Sequence, residues 1–98
     1  MHRKTLLLAA IGLCLAAPAG QPFTIEFDNK DDAGIPHNVE LYTKDPAQGG
    51  ERLGGATGVS DTITAPDSTT YEVDAIDAGD YYFQCDVHPG MNGDFVVK

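Results

Sequence analysis

Three residues suited to soft-metal chemistry stand three apart near the end of the sequence, in Cys85-Asp86-Val87-His88-Pro89-Gly90-Met91. A thiolate, an imidazole and a thioether in one short loop can converge on a single ion. A second imidazole, His37, lies in Ile35-Pro36-His37-Asn38-Val39, just before another strand-like run. Two His, one Cys and one Met form the ligand set of a type 1 copper centre, trigonal in Cys and two His with a long, weak axial Met. Beyond residue 19 the chain has two His, one Cys and one Met, so each ligand type is used with none to spare. The plain alternative, a buried Cys on a strand and two surface histidines, leaves that economy a coincidence.

Other chemistries fit less well. A Cys-His hydrolase needs an oxyanion hole and a substrate cleft, and a chain this short leaves little room for them. Zinc accepts Cys and His but rarely a thioether in register. A purple dinuclear copper centre needs a second Cys in the same loop, covalent haem needs Cys-x-x-Cys-His, and neither occurs. An immunoglobulin-like module shares the Asp77-Ala78-Gly79-Asp80-Tyr81 stretch, but it pairs two cysteines between its sheets, and here there is one beyond residue 19.

Short strands separated by turn residues must position these ligands, and no stretch carries a sustained helical period. Pro22 to Asp28 alternates, with Phe23, Ile25 and Phe27 on one face. His37 to Tyr42 reads as a strand with Val39 and Leu41 opposed to Glu40 and Tyr42. A Gly-rich connection follows, with a short extra strand expected near Arg52-Leu53. Ser60 to Ala65 and Thr70 to Ala75 are β-branched runs joined by a turn at Pro66-Asp67-Ser68, and Asp80 to Cys85 and Gly93 to Lys98 close the set. Six to eight such strands imply an all-β sandwich. Tyr81, Phe83 and Cys85 share one face, so Cys85 ends an inward-facing row at the rim of the core.

The motif Gly79-x-Tyr81-x-Phe83-x-Cys85-x-x-His88-x-x-Met91, with Pro36-His37-Asn38 upstream, resembles the cupredoxins: plastocyanin, pseudoazurin and especially amicyanin, which shares the short loop spacing. The resemblance runs from about Phe23 to Lys98. Many of these proteins place Pro before the loop His, whereas this chain has Val87 there and Pro89 after it. The resemblance implies a Greek-key cupredoxin sandwich holding one copper ion through His37, Cys85, His88 and Met91. It also implies that the Asn38 N–H donates to the Cys85 thiolate and that the Asn38 side chain ties its loop to the segment near Asp86. Ile35, Pro36, Pro89 and Met91 would form an apolar collar about the His88 edge, where a redox partner docks.

The first residues carry an export pattern. Met1-His2-Arg3-Lys4 is positive, Leu6 to Ala16 is apolar but too short to span a bilayer, and Ala17-Pro18-Ala19 has the small-x-small form of a signal-peptidase site. The expected division is a signal peptide over 1–19 and a copper-binding domain over 20–98, exported to the periplasm or beyond. Cys14 raises a lipid-anchor reading, against which Leu13 is large where small residues are expected. Fifteen Asp and Glu against six Lys and Arg give a net charge of −9, and removing Arg3 and Lys4 with the leader gives −11. Such a surface argues against nucleic acid and anionic membranes and favours basic partners.

The expected protein is a small exported blue copper protein, monomeric and not an enzyme. It would shuttle single electrons between protein redox partners such as cytochromes or oxidases, with no stable membrane insertion of its mature chain. A copper carrier or storage protein with the same ligands is the alternative.

Overall fold

The computed structural model describes residues 4–8 and 15–98. Among them it contains ten strands and a single 3-10 turn, Pro46–Gln48. No helix among the described residues is long and apolar enough to cross a membrane. Cys14 lies outside the described residues.

Alternating side chains build the first sheet. Strand β3 (Phe23–Asn29) buries Phe23, Ile25 and Phe27, and its antiparallel neighbour β8 (Asp67–Val73) turns Tyr71 and Val73 the same way. Strand β1 (Lys4–Leu8) runs parallel along the other edge of β3. The second sheet has the order β2 (Leu15–Ala17), β10 (Asn92–Val97), β9 (Gly79–Gln84), β5 (Glu40–Tyr42), β6 (Arg52–Gly55). It contributes Leu41, Phe83, Phe95 and Val97 to the same core. Phe23 and Phe95 meet across it with ring centroids 5.7 Å apart. The chain leaves β3 for β5 in the opposite sheet and returns to β3's flank only at β8, which is Greek-key connectivity in an all-β sandwich.

The run from His37 to Tyr42 is not one strand. β4 (Pro36–His37) pairs with β7 (Ile63–Thr64), and β5 then joins the five-stranded sheet, so the chain changes partners at Asn38-Val39. That crossing also breaks the expected alternation. Val39 and Leu41 are buried, but Glu40 is buried as well. The extra strand near Arg52-Leu53 is present as β6. The β-branched run from Ser60 keeps only Ile63 and Thr64 as strand, while Asp67 and Ser68 already belong to β8, so the turn lies at Ala65-Pro66. A β-bulge at Leu41/Tyr42 accompanies Gly55, whose φ of 85° and close approach to the Val39 carbonyl leave no room for a Cβ.

Part of the expected leader lies in the folded sheet. The backbone of Leu15–Ala17 runs parallel to Phe95–Val97, and Ala17 is buried. The Lys98 N–H donates to the Ala17 carbonyl at 3.2 Å, and the Ala19 N–H donates to the Lys98 carbonyl at 3.3 Å.

Candidate metal centre

The loop after β9 is two turns in succession. The His88 N–H donates to the Cys85 carbonyl at 3.1 Å, and the Met91 N–H donates to the His88 carbonyl at 2.8 Å. Each three-residue interval between the soft side chains is therefore one closed turn. The Cys85 N–H donates to the Met91 carbonyl at 2.9 Å and shuts the loop at its base. His37 enters from β4, whose pairing with Ile63 anchors it and leaves its ring buried.

The three ligand atoms of His37, Cys85 and His88 all lie within 4.8 Å of one another. Cys85 Sγ is 3.6 Å from His37 Nδ1 and 3.7 Å from His88 Nδ1. Metal bonds of about 2.0 Å to imidazole and about 2.3 Å to thiolate, set at angles between tetrahedral and trigonal, give sulfur–nitrogen edges of about 3.5–3.7 Å. The donor set thus has the size of a single first-row ion, and its chemistry suits copper. Cys85 is fully buried, His88 is partly exposed, and the two imidazole rings face each other at 4.9 Å between centroids. Met91 and His37 border one hollow of about 270 Å³, together with Asn29 and Asp31.

Asn38 ties the two ligand-bearing segments together. Its Oδ1 accepts from the Asp86 N–H at 2.8 Å, and its Nδ2 donates to Asp86 Oδ2 at 3.2 Å and to the carbonyls of Gly58 and Asp61. The side-chain role implied by the resemblance is therefore present. The expected Asn38 N–H bond to sulfur is not among the hydrogen bonds of the described residues.

The structure adds a polar network that the sequence did not announce. Asp86 also accepts from Tyr42 Oη at 2.6 Å and Gln84 Nε2 at 3.2 Å. Gln84 and Glu40 are both buried beside it. Burial pushes the Glu40 carboxyl up to about 7, the neighbouring Asp86 carboxylate adds to the rise, and the Arg52 guanidinium, 3.2 Å from Glu40 Oε2, opposes it. Burial would raise Asp86 too, but the adjoining Glu40 carboxyl and hydrogen bonds from Tyr42, Gln84 and Asn38 outweigh it and hold Asp86 below the usual carboxylate range. Glu40 Oε1 has no hydrogen-bond partner among the described residues, so burial is the main cause of its shift. The only sequence signal for this network was parity. Glu40, Tyr42, Tyr82 and Gln84 fall on the face opposite the core, where polar residues are ordinarily solvated.

Asp31 was also missed. Its Oδ2 lies 2.7 Å from His37 Nε2, and that hydrogen bond, with the one from the Ala33 N–H, holds the Asp31 carboxyl below its ordinary range. A ligating His commonly has an acidic partner. The loop offers Asp28, Asp31 and Asp32, and nothing in their order singles out one.

Of the expected collar, Ile35, Pro36 and Pro89 are exposed and Met91 is only partly so; Val87 and Gly90 beside them are exposed as well.

A family model described as a cupredoxin-like domain matches residues 14–97. Plastocyanin of Sambucus nigra is 31% identical over 83 residues, covering 85% of this chain and 79% of that protein. Among solved structures, dithionite-reduced auracyanin from Roseiflexus castenholzii superposes with a TM-score of 0.74 at 18% identity, covering 97% of each chain. An oxidised amicyanin variant superposes with a TM-score of 0.57 at 20% identity, over 97% of this chain and 81% of that one.

Proposed function

The chain belongs to the cupredoxin-like family, and on that premise we propose that it is a one-electron carrier and not an enzyme. His37 Nδ1, Cys85 Sγ and His88 Nδ1 would hold one copper ion, with the Met91 thioether as a further soft donor. Bound there, copper supplies a single-electron change between Cu(II) and Cu(I). The protein's part is rigidity. Cys85 is fixed at the end of β9, His37 is fixed by β4, and His88 and Met91 are fixed by the two closed turns, so a change of charge moves few atoms. The observation that carries the reading is the pair of sulfur–nitrogen distances, 3.6 and 3.7 Å, in a site where Cys85 has no exposed surface.

The electron leaves through the His88 edge, framed by exposed Pro36, Val87, Pro89 and Gly90. The carrier is a monomer that serves protein partners with basic docking surfaces, such as cytochromes or oxidases, in the periplasm or outside the cell. Export rests on the pattern of residues 1–19.

Titration of the purified protein with Cu(II) tests this reading. A strong thiolate-to-copper charge-transfer band and a reversible one-electron wave support it, and Cys85→Ser removes both. A colourless or weakly absorbing complex that passes its copper to an acceptor protein establishes the carrier reading instead.

A further inference from the structure

We propose that Asp31 is a positioning residue for the metal centre, selecting the nitrogen with which His37 binds and strengthening that nitrogen as a donor. The proposal rests on the copper reading for its consequence, but not for its geometry. Both nitrogens of the buried His37 ring are committed: Nδ1 faces Cys85 Sγ at 3.6 Å, and Nε2 lies 2.7 Å from Asp31 Oδ2. A carboxylate can only accept, so the shared proton resides on Nε2, and in the neutral ring that leaves the Nδ1 lone pair on the side of Cys85 Sγ, free for a metal.

Asp31 is not a loose surface acid. Its N–H donates to Asn29 Oδ1 at 3.0 Å, its Oδ1 accepts from the Ala33 N–H at 2.9 Å, and its carbonyl accepts from the Gly34 N–H at 3.0 Å. Asn29 is itself buried, and its Nδ2 donates to the carbonyls of Ile35 and Ile63, the latter in the strand that pairs with His37. The carboxylate is therefore held in place from both sides, with one oxygen occupied by its own turn and the other free for the imidazole. A fixed negative partner on the far nitrogen makes the ring a better donor, which stabilises the more highly charged Cu(II) over Cu(I).

The test uses Asp31→Asn, which keeps an acceptor but loses the charge, Asp31→Ala, which loses both, and Asp32→Asn, which removes the same charge from the adjacent exposed acid. In the metal-free protein, nitrogen-15 NMR should show His37 with its proton on Nε2, and a mixture of tautomers in Asp31→Ala. With copper bound, Cu(II) affinity should fall about ten- to hundredfold in Asp31→Ala. The reduction potential should rise, by 59 mV for each tenfold loss of Cu(II) relative to Cu(I) affinity. Asp31→Asn should fall between Asp31→Ala and the parent, and Asp32→Asn should match the parent. An unchanged tautomer in Asp31→Ala, or an equal shift in Asp32→Asn, overturns the proposal. The tautomer is read without copper, so a protein that fails to form a blue site while keeping the Nε2 proton overturns the functional reading and leaves the positioning role standing.

Discussion

Tyr42 Oη donates to Asp86 Oδ1 over 2.6 Å, so strand β5 grips the residue that directly follows Cys85. Asp86 sits where the strand becomes the ligand loop, and Asn38 and Gln84 hold it as well. Tyr42→Phe leaves the ring in place and deletes one donor to a charged acceptor. The expected loss is about 1.5–3 kcal/mol of unfolding free energy, with the visible band of the copper form kept. Denaturant titration with an unchanged slope would measure the first, and absorption spectroscopy the second.

Glu40 gives stability a pH dependence of unusual sign for a carboxyl group. Its folded value of about 7 lies above the ordinary 4.5, so between those values the folded chain holds a proton that the unfolded chain has released. The contribution is complete below about pH 4.5 and is lost as pH rises through 7, with an upper bound of roughly 3 kcal/mol set by the full shift. Asp86 acts oppositely and in a lower window: its lowered value helps stability above about pH 4 and is lost on further acidification. Glu40→Gln should remove the fall between pH 5 and 8. Denaturation midpoints of metal-free parent and variant across that range decide it, and parallel profiles would assign the dependence elsewhere.

The contrast between what could and could not be anticipated follows from periodicity. Phe23, Ile25 and Phe27 alternate cleanly because β3 faces one core throughout, and the row Tyr81, Phe83, Cys85 was legible for the same reason. The cluster of His37, Cys85 and His88 was legible because these residue types are scarce in this chain and chemically distinctive. Glu40 and Gln84 were not, since their burial depends on one another and on Tyr42, Asp86 and Arg52 arriving from other strands. Nor was the split between β4 and β5, where a continuous β-like pattern hides a change of sheet. Asp31 differs from Asp32 only in where the turn closed by Ala33 and Gly34 aims it.

Met91 tests the axial position. A thioether favours soft Cu(I), so Met91→Gln should lower the reduction potential while the band due to Cys85 survives. Voltammetry that returns the parent's potential would make Met91 a packing residue of the hollow it shares with His37.

A chain beginning at Gly20 lacks β1 and β2, and with them the parallel cover of β3 and of β10. It loses the bonds between Ala17, Ala19 and Lys98 and the burial of Ala17. At about 1 kcal/mol per hydrogen bond, it should be about 2–4 kcal/mol less stable than the full sequence. Chemical denaturation of both forms, with mass spectrometry of the protein recovered after export, shows which form the cell uses; equal stabilities would make β2 dispensable.

Electron exit through His88 can be separated from other routes at Gly90. This glycine is exposed, an added Cβ would meet nothing within 4 Å, and its φ lies outside the left-handed range, so Gly90→Glu should fold without strain. A bulky charge there holds a docking protein away from the His88 edge while leaving the spectrum and potential unaltered. The net charge of −9 for the whole chain, or −11 without residues 1–19, steers basic partners and repels acidic ones. That steering fades as the Debye length falls from about 10 Å at 0.1 M salt to about 3 Å at 1 M. Stopped-flow rates with a basic cytochrome should therefore drop as salt rises, rates with an acidic one should increase, and Gly90→Glu should slow both. If Gly90→Glu reacts as fast as the parent with a small protein acceptor, the electron leaves instead from Cys85 along β9, past Gln84 and Tyr82. Those two side chains are joined by a hydrogen bond of 3.1 Å and lie on the face away from the core.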